Sequence, residues 1–224
     1  MITATYVDHM GSDLSVVNAA RVSFGKNSDW AVSFLPEILT EKDTKLIHYL
    51  AKHKHYSPFG HCFASFHIKA PIFVARQLVK HEYLRMNEIS RRYVDSEPEF
   101  YVPEVWRGRA KDKKQGSEGE VFPNFERYLA GSVRLNINQL CLEEYQHLLE
   151  SGVAPEMARM VLPQSMYTEW YWSGSMDAFA NMCVLRLKED TQYETRLVAQ
   201  QIDEVMQGLY PVSWQALVQE TDGV

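Results

Sequence analysis

Arg76-Gln77-Leu78-Val79-Lys80-His81-Glu82-Tyr83-Leu84-Arg85-Met86-Asn87-Glu88-Ile89-Ser90-Arg91-Arg92-Tyr93 is the stretch on which the reading of this chain turns. It holds five Lys or Arg, at 76, 80, 85, 91 and 92, against two Glu, at 82 and 88, while the 224-residue chain has a formal net charge of -6. A locally basic segment in an acidic protein points to a pocket for a small anion. The acidic balance argues against broad electrostatic capture of DNA or RNA, which needs a basic face. Pro71 suits the first turn of a helix, and the spacing predicts that this helix runs to about Tyr83. On it Arg76 and Lys80 stand four residues apart, as do Gln77 and His81, which makes one polar stripe on an otherwise apolar helix. Burying such a stripe without partners costs free energy. A phosphate would satisfy it, because Arg presents a planar fork and Lys a point charge, and Ser90 can add a hydroxyl. A structural alternative stands beside this one: a salt-bridged helix at a subunit interface, with Glu82 and Glu88 neutralising the arginines.

Working outward, the composition is that of a globular protein, 46% hydrophobic and 23% charged. The length suits one domain spanning 1–224. Cys62, Ala64, Phe66 and Ile68 alternate with Phe63, Ser65, His67 and Lys69, which predicts a half-buried strand. Residues 2–7 and 165–173 also read as strands, the latter with Trp170 and Trp172 as packing residues. Helices are expected at about 13–21, 43–51, 176–188, 190–208 and 213–218, with a short one from Pro155 containing Arg159. Phe125, Leu129, Val133, Ile137, Leu140 and Leu148 recur at helical spacing and predict a long helix that Gly152 ends. The stretch 107–120 has no apolar period and reads as an exposed loop. The expected fold is α+β, with helices packed around a small mixed or antiparallel sheet. The three cysteines, Cys62, Cys141 and Cys183, form no CxxC pair, so neither a disulfide framework nor a zinc site is expected. His61 and His67 read as strand residues with satisfied hydrogen bonds, and no metal site is expected. The first residues lack a basic stretch followed by an apolar run, and no apolar run is long enough to span a bilayer. A cytoplasmic protein is the expectation, in the host cytoplasm if the source is viral.

The pattern RQxx[RK]HxxxxxNExSxRY, here Arg76 to Tyr93, resembles the signature of the flavin-dependent thymidylate synthases. Further matches occur in order along the chain: Ala19 to Phe24, His55 to His61, Lys69-Ala70-Pro71, Ala158 to Pro163, Tyr167-Thr168, and Asn181 with Leu185-Arg186. The resemblance implies a methyltransferase that passes a one-carbon unit from methylenetetrahydrofolate to C5 of dUMP. Reduced FAD supplies the electrons and NADPH recharges the flavin. It further implies a homotetramer with sites shared between subunits.

By the same resemblance Gln77, Lys80, Glu88, Ser90, Arg91, Arg92, Arg159 and Arg186 bind the nucleotide, with Arg92 and Arg159 on its phosphate. Glu88 orients that cluster. Arg186 is the catalytic residue, a cation at the uracil edge that favours ionisation at N3. Ser57, Lys80, His81, Glu82, Glu88 and Asn181 would lie at the flavin, with His55 on the folate or nicotinamide side. Several positions depart from the family pattern. Lys80 and Glu82 stand where the motif has arginines, Arg85 where it has a small serine, and Gly60 at a position often occupied by glutamate. Ser175, Asp177 and Asp190 stand where asparagine, arginine and histidine are common. The Lys-His form is similar to members found in bacteriophages. Because the departures fall on the flavin side, two alternatives remain open. One is methylation or hydroxymethylation of another pyrimidine deoxynucleotide, such as dCMP, with altered or no flavin use. The other is a non-catalytic nucleotide-binding protein.

Overall fold

A computed structural model of the chain describes residues 1–32, 37–94, 96–111, 116–121 and 133–219. In chain order its elements are β1 (Thr3–Met10), α1 (Asp13–Arg21), α2 (Glu41–Lys52), β2 (Phe63–Pro71), α3 (Ile72–Leu78), β3 (Leu84–Glu88), β4 (Arg107–Arg109), β5 (Ser117–Glu120), α4 (Val133–Glu150), α5 (Pro155–Ala158), β6 (Tyr167–Ser175), α6 (Met176–Arg186), α7 (Tyr193–Leu209) and α8 (Pro211–Gln219).

Strand β6 lies at the middle of the architecture. The main sheet has the order β1-β2-β6-β3, and every pair in it is antiparallel, so of the two expected sheet types the antiparallel one is realised. The alternation predicted for β2 is realised: Cys62, Ala64, Phe66 and Ile68 are buried. Trp170 and Trp172 of β6 lie on the same inner face. Phe179 of α6 packs edge-on against both Phe66 and Trp172, with ring centroids 5.3 and 5.4 Å away. Gln201 of α7 accepts from the backbone N–H of Ala4 at 3.0 Å and so fixes that helix to β1. The Asp13 carboxylate accepts from Val212 N at 2.9 Å and Ser213 N at 2.8 Å, which satisfies orphan donors at the start of α8. Cys62 and Cys183 are core residues, and burial raises both thiols, Cys62 to about 12.

Three expectations change. The helix after Pro71 stops at Leu78 rather than near Tyr83, and a strand follows it. Tyr83 takes a left-handed backbone, φ 62°, and reverses the chain into β3. The edge of β6 explains why. Its free N–H and C=O groups need a ladder, and Leu84 and Met86 alternate in phase to turn inward while forming one. The stretch 107–120 is not a plain loop, since β4 and β5 pair as a hairpin. On α4 the apolar seam is not the one read from the spacing. Leu142 and Tyr145 are buried, whereas Ile137 and Leu140 are 45% and 60% exposed. Phe125 and Leu129, and the start expected for that helix, lie outside the described residues.

Gly174 sets how close β3 comes to β6. A Cβ there would stand 2.9 Å from the Tyr83 carbonyl oxygen and would also strike Leu84 Cδ2. Gly174→Ala is therefore expected to destabilise the fold by about 1–3 kcal/mol, the usual cost of overpacking. A urea unfolding curve with an unchanged midpoint would contradict this.

Candidate active site

The end of β3 and the turn after it carry the first cluster. Ile89 N donates to Glu169 O at 2.9 Å, which continues the ladder one residue beyond the strand. Tyr93 N then donates to Ser90 O at 3.0 Å and closes a turn over Ser90–Tyr93. That turn throws Arg91 and Arg92 to one side of the sheet edge. The loop before β6 delivers the next arginine. Ile72 N donates to Met166 O at 3.0 Å and Phe73 N to Gln164 O at 3.3 Å, so the free N–H groups of α3 tie down residues 164–166. Arg159, in the tight turn after α5, comes to lie across from α3.

These elements enclose a cleft of about 570 Å³ lined by Arg76, Arg91, Arg92 and Arg159, with Glu88 as its carboxylate. Among the described residues no carboxylate pairs with any of the four arginines. Their contacts are instead to oxygens without formal charge or to a ring. Arg91 donates to Ser96 O, Arg159 Nε donates to Glu156 O at 3.3 Å, and the Arg92 guanidinium lies 5.0 Å from the Tyr93 ring centroid. Ser90 Oγ accepts from Arg92 N and Nε, both at 3.4 Å, which leaves its proton free to donate. Glu88 Oε1 accepts from Thr168 Oγ1 at 2.6 Å, so the buried Thr168 holds the carboxylate in place. Four uncompensated guanidinium groups around one anchored carboxylate make a site for an anion carrying more than one negative oxygen.

The remaining residues expected at the nucleotide fall elsewhere. Because α3 ends at Leu78, the expected stripe does not form. Arg76 lines the cleft, Gln77 turns away from it, and Lys80 stands exposed in the following turn. Gln77 Oε1 accepts from Thr195 Oγ1 at 3.2 Å and its Nε2 donates to Gln192 Oε1 at 2.5 Å. Both partners belong to the start of α7, and together they fix which way the amide points. Arg186, the last residue of α6, donates from Nη2 to Gln77 O at 3.2 Å and from Nε to His81 Nε2 at 2.9 Å. Gln77, His81 and Arg186 thus form a second cluster, and none of them lines the arginine cleft.

Of the flavin-side residues, Ser57, Lys80, Asn181 and His55 are exposed. Among the described residues no side-chain hydrogen bond engages Ser57, Lys80 or Asn181, so a hydroxyl, an ammonium and an amide are free to donate. That donor set fits a ligand with phosphate and carbonyl oxygens. His55 sits in a loose ring cluster with Tyr49 and His53, at centroid distances of 6.2 and 6.4 Å. Glu82 is exposed, and Asp177, in the first turn of α6, has a buried Oδ1 without a hydrogen bond. Acid at these two positions lowers the positive charge on that side.

Sequence reasoning passed over Gln192 and Thr195, which touch the site through other side chains, and met Thr168 only as part of a matching pair, without its bond to Glu88. It also passed over the set Tyr101, Arg107 and Glu194. Arg107 Nη2 meets Glu194 Oε1 at 2.6 Å, and Tyr101 OH donates to the same oxygen at 2.9 Å. Burial raises the Glu194 carboxyl, but Arg107 and Tyr101 outweigh it and hold the group below its ordinary value. A mid-chain arginine finding a carboxylate on a distant helix leaves no local spacing signal.

A family model described as thymidylate synthase complementing protein matches residues 5–212. The chain belongs to that family. It is 42% identical over 210 residues to the flavin-dependent thymidylate synthase of Thermus thermophilus, covering 94% of this chain and 73% of that one. To the flavin-dependent thymidylate synthase of Kosmotoga olearia it is 41% identical over 214 residues, 95% of this chain and 88% of that one. It is also similar to the crystal structure of a UMP/dUMP methylase, PolB from Streptomyces cacaoi, bound with 5-Br dUMP. The TM-score is 0.82 at 32% identity, covering 98% of this chain and 95% of that one. The protein is therefore a member of an enzyme family, with the α+β fold that its sequence predicts. No helix among the described residues is long and apolar enough to cross a membrane.

His81 gives this cluster a pH signature. Burial first, and then the Arg186 cation, push its imidazole down from 6.5 to about 4. In that interval the unfolded chain binds a proton that the folded chain refuses, so stability falls as pH falls from 6.5 towards 4. His81→Asn, which keeps a side chain able to accept from Arg186, is expected to flatten that part of the stability profile. Parallel denaturation profiles for the two proteins would refute the assignment.

Proposed function

We propose that this protein converts dUMP to dTMP by reductive methylation, with methylenetetrahydrofolate as the one-carbon donor and FAD, recharged by NADPH, as redox cofactor. The observation that carries this is the arginine cleft: four guanidinium groups without carboxylate partners among the described residues, beside a Ser90 hydroxyl free to donate. A nucleoside monophosphate brings a dianionic, planar-oxygen group that matches the arginine fork. Arg92 and Arg159 hold the phosphate, Ser90 and Arg91 assist, and Glu88 is kept in line by Thr168.

The second cluster supplies the chemistry at the base. Arg186 is held by two acceptors, Gln77 O and a neutral His81, and neither cancels its charge. A fixed cation at the uracil edge favours the N3 anion, and the added electron density makes C5 a better nucleophile. Gln77, locked by Thr195 and Gln192, keeps one N–H and one lone pair to read the base. Since the two clusters do not meet within one cleft of the chain, a homotetramer in which one subunit's phosphate residues face another's Arg186 gives a complete site. Lys80, Ser57 and Asn181 are the residues that would hold the flavin, with Glu88 at the boundary and His55 towards the folate. Reduced flavin, when bound, supplies the electrons that complete the methyl group. The reaction belongs in the cytoplasm, where nucleotides and reduced folate are available.

A second reading rests on the acid at Glu82 and the unpartnered Asp177 Oδ1. Either could select a different pyrimidine, such as dCMP, or a weakened flavin requirement. Turnover separates the two. Protein mixed with dUMP, methylenetetrahydrofolate, NADPH and FAD is expected to form dTMP, and a yellow preparation releasing FAD on heating supports the flavin assignment. Product from dCMP alone would favour the second reading, and no product from either nucleotide would defeat both. Arg92→Ala is expected to weaken dUMP binding by ~1.5–3 kcal/mol, the value of a charge-assisted hydrogen bond. Calorimetry showing an unchanged affinity would remove Arg92 from the phosphate.

A further inference from the structure

Next to the arginine cleft, and sharing Gln164 with it, lies a second pocket of about 590 Å³ to which the reaction above gives no role. Its character is different. Aromatic rings form much of the wall: Phe73 from α3, with Tyr101 and Trp106 from the chain entering the hairpin. Its charged residues are already committed to each other. Arg107 and Glu194 form an ion pair at 2.6 Å, and the Arg107 guanidinium also lies 4.7 Å from the Tyr193 ring centroid. Among the described residues that line it no cation is left over for a phosphate, so a nucleotide's anionic end is not what this pocket suits.

The polar groups that remain describe its ligand. Glu194 is only 2% exposed, and while Oε1 accepts from both Arg107 and Tyr101, its Oε2 is buried and meets no hydrogen-bond partner. An ionised carboxylate oxygen in that position is costly to leave unmade, and an N–H donor would satisfy it. Gln192 uses its Oε1 to accept from Gln77, which leaves its Nε2 to donate into the pocket. Gln164 offers a whole amide, since no hydrogen bond engages its side chain among the described residues. Flat apolar walls, an acceptor seeking an N–H, and two amides are the features that recognise a heteroaromatic ring by its face and its edge.

We infer that this pocket binds an uncharged, planar nitrogen heterocycle bearing ring N–H or amino donors, at a site distinct from the arginine cleft. Its wall is linked to the base-reading cluster through the hydrogen bond that Gln77 Nε2 donates to Gln192 Oε1. Occupancy therefore acts on the Gln192 amide and, through it, on the orientation of the Gln77 side chain. The inference stands on the pocket itself and does not require that the cleft bind dUMP.

The test uses the full chain and three neutral probes: adenosine, 6-methylpterin and nicotinamide. Saturation-transfer NMR finds the binder, and Trp fluorescence quenching gives its affinity. At least one probe is expected to bind the native protein. Trp106→Ala, at a half-buried ring, and Gln164→Ala are each expected to weaken it at least tenfold, while Arg92→Ala leaves it unchanged. Glu194→Gln, checked for folding by circular dichroism, is expected to weaken it too. Absence of binding by all three probes at millimolar concentration would overturn the inference. So would binding that survives both Trp106→Ala and Gln164→Ala, or binding lost in Arg92→Ala, which would place the ring in the cleft. Calorimetry with dUMP runs in parallel. Probe binding without dUMP binding would leave this pocket standing and defeat the nucleotide reading alone.

Discussion

Strand β6 is held on both sides by antiparallel ladders, to β2 from Phe63 to Pro71 and to β3 from Leu84 to Glu88. The register of those ladders sets the frame on which the candidate site is built. Along one edge it positions Glu88 beside Thr168, and through Ile89 it sets where the Ser90–Tyr93 turn begins. At its C-terminal end β6 runs directly into α6, so the same strand fixes the origin of the helix that ends in Arg186. On the other side β2 runs directly into α3 and fixes Arg76 and Gln77. The buried inner face, with Phe66, Ile68, Trp170 and Trp172, makes a one-residue slip prohibitive, because it would turn these side chains to solvent.

Three arginine environments follow from that frame, and they divide the work. The cleft arginines are accessible and, among the described residues, unpaired with carboxylates, which is the state required to take up an anion. Arg186 is held by a carbonyl and a neutral imidazole, so its charge is directed but not cancelled. Arg107 is neutralised by a buried carboxylate and serves to seat the hairpin on the start of α7. The same residue type is thus left open to an anion, held without loss of its charge, or spent on structure, and what separates these states is the partner that the fold provides.

Much was legible beforehand. The alternation of β2 and the aromatic strand around Trp170 announced themselves, because a period of two needs only neighbours in sequence. The basic segment was also legible, since its charge contrasts with that of the whole chain. Its geometry was not. The spacing of Arg76 with Lys80 and Gln77 with His81 described a helix that the demand of the β6 edge cut short. Ile137 and Leu140 carried an apolar period whose exposed side could not be told from its buried one. Thr168, Gln192 and Thr195 are ordinary polar residues until their partners are known.

The sequence by itself determined the family, much of the strand and helix content, and which residue types stand ready for a small anion. These rest on local period and on a motif read in order. Only the tertiary structure decided that the site residues fall into two clusters, with the arginines of one lining an open cleft and Arg186 held by Gln77 and His81 in the other. It also decided that Arg107 reaches a buried Glu194 and, with Gly116 and Ser117, helps to wall a second pocket. The physical reason is that ion pairs and hydrogen bonds between residues far apart in the chain depend on how the strands are registered and the helices docked, and no local spacing encodes those partners.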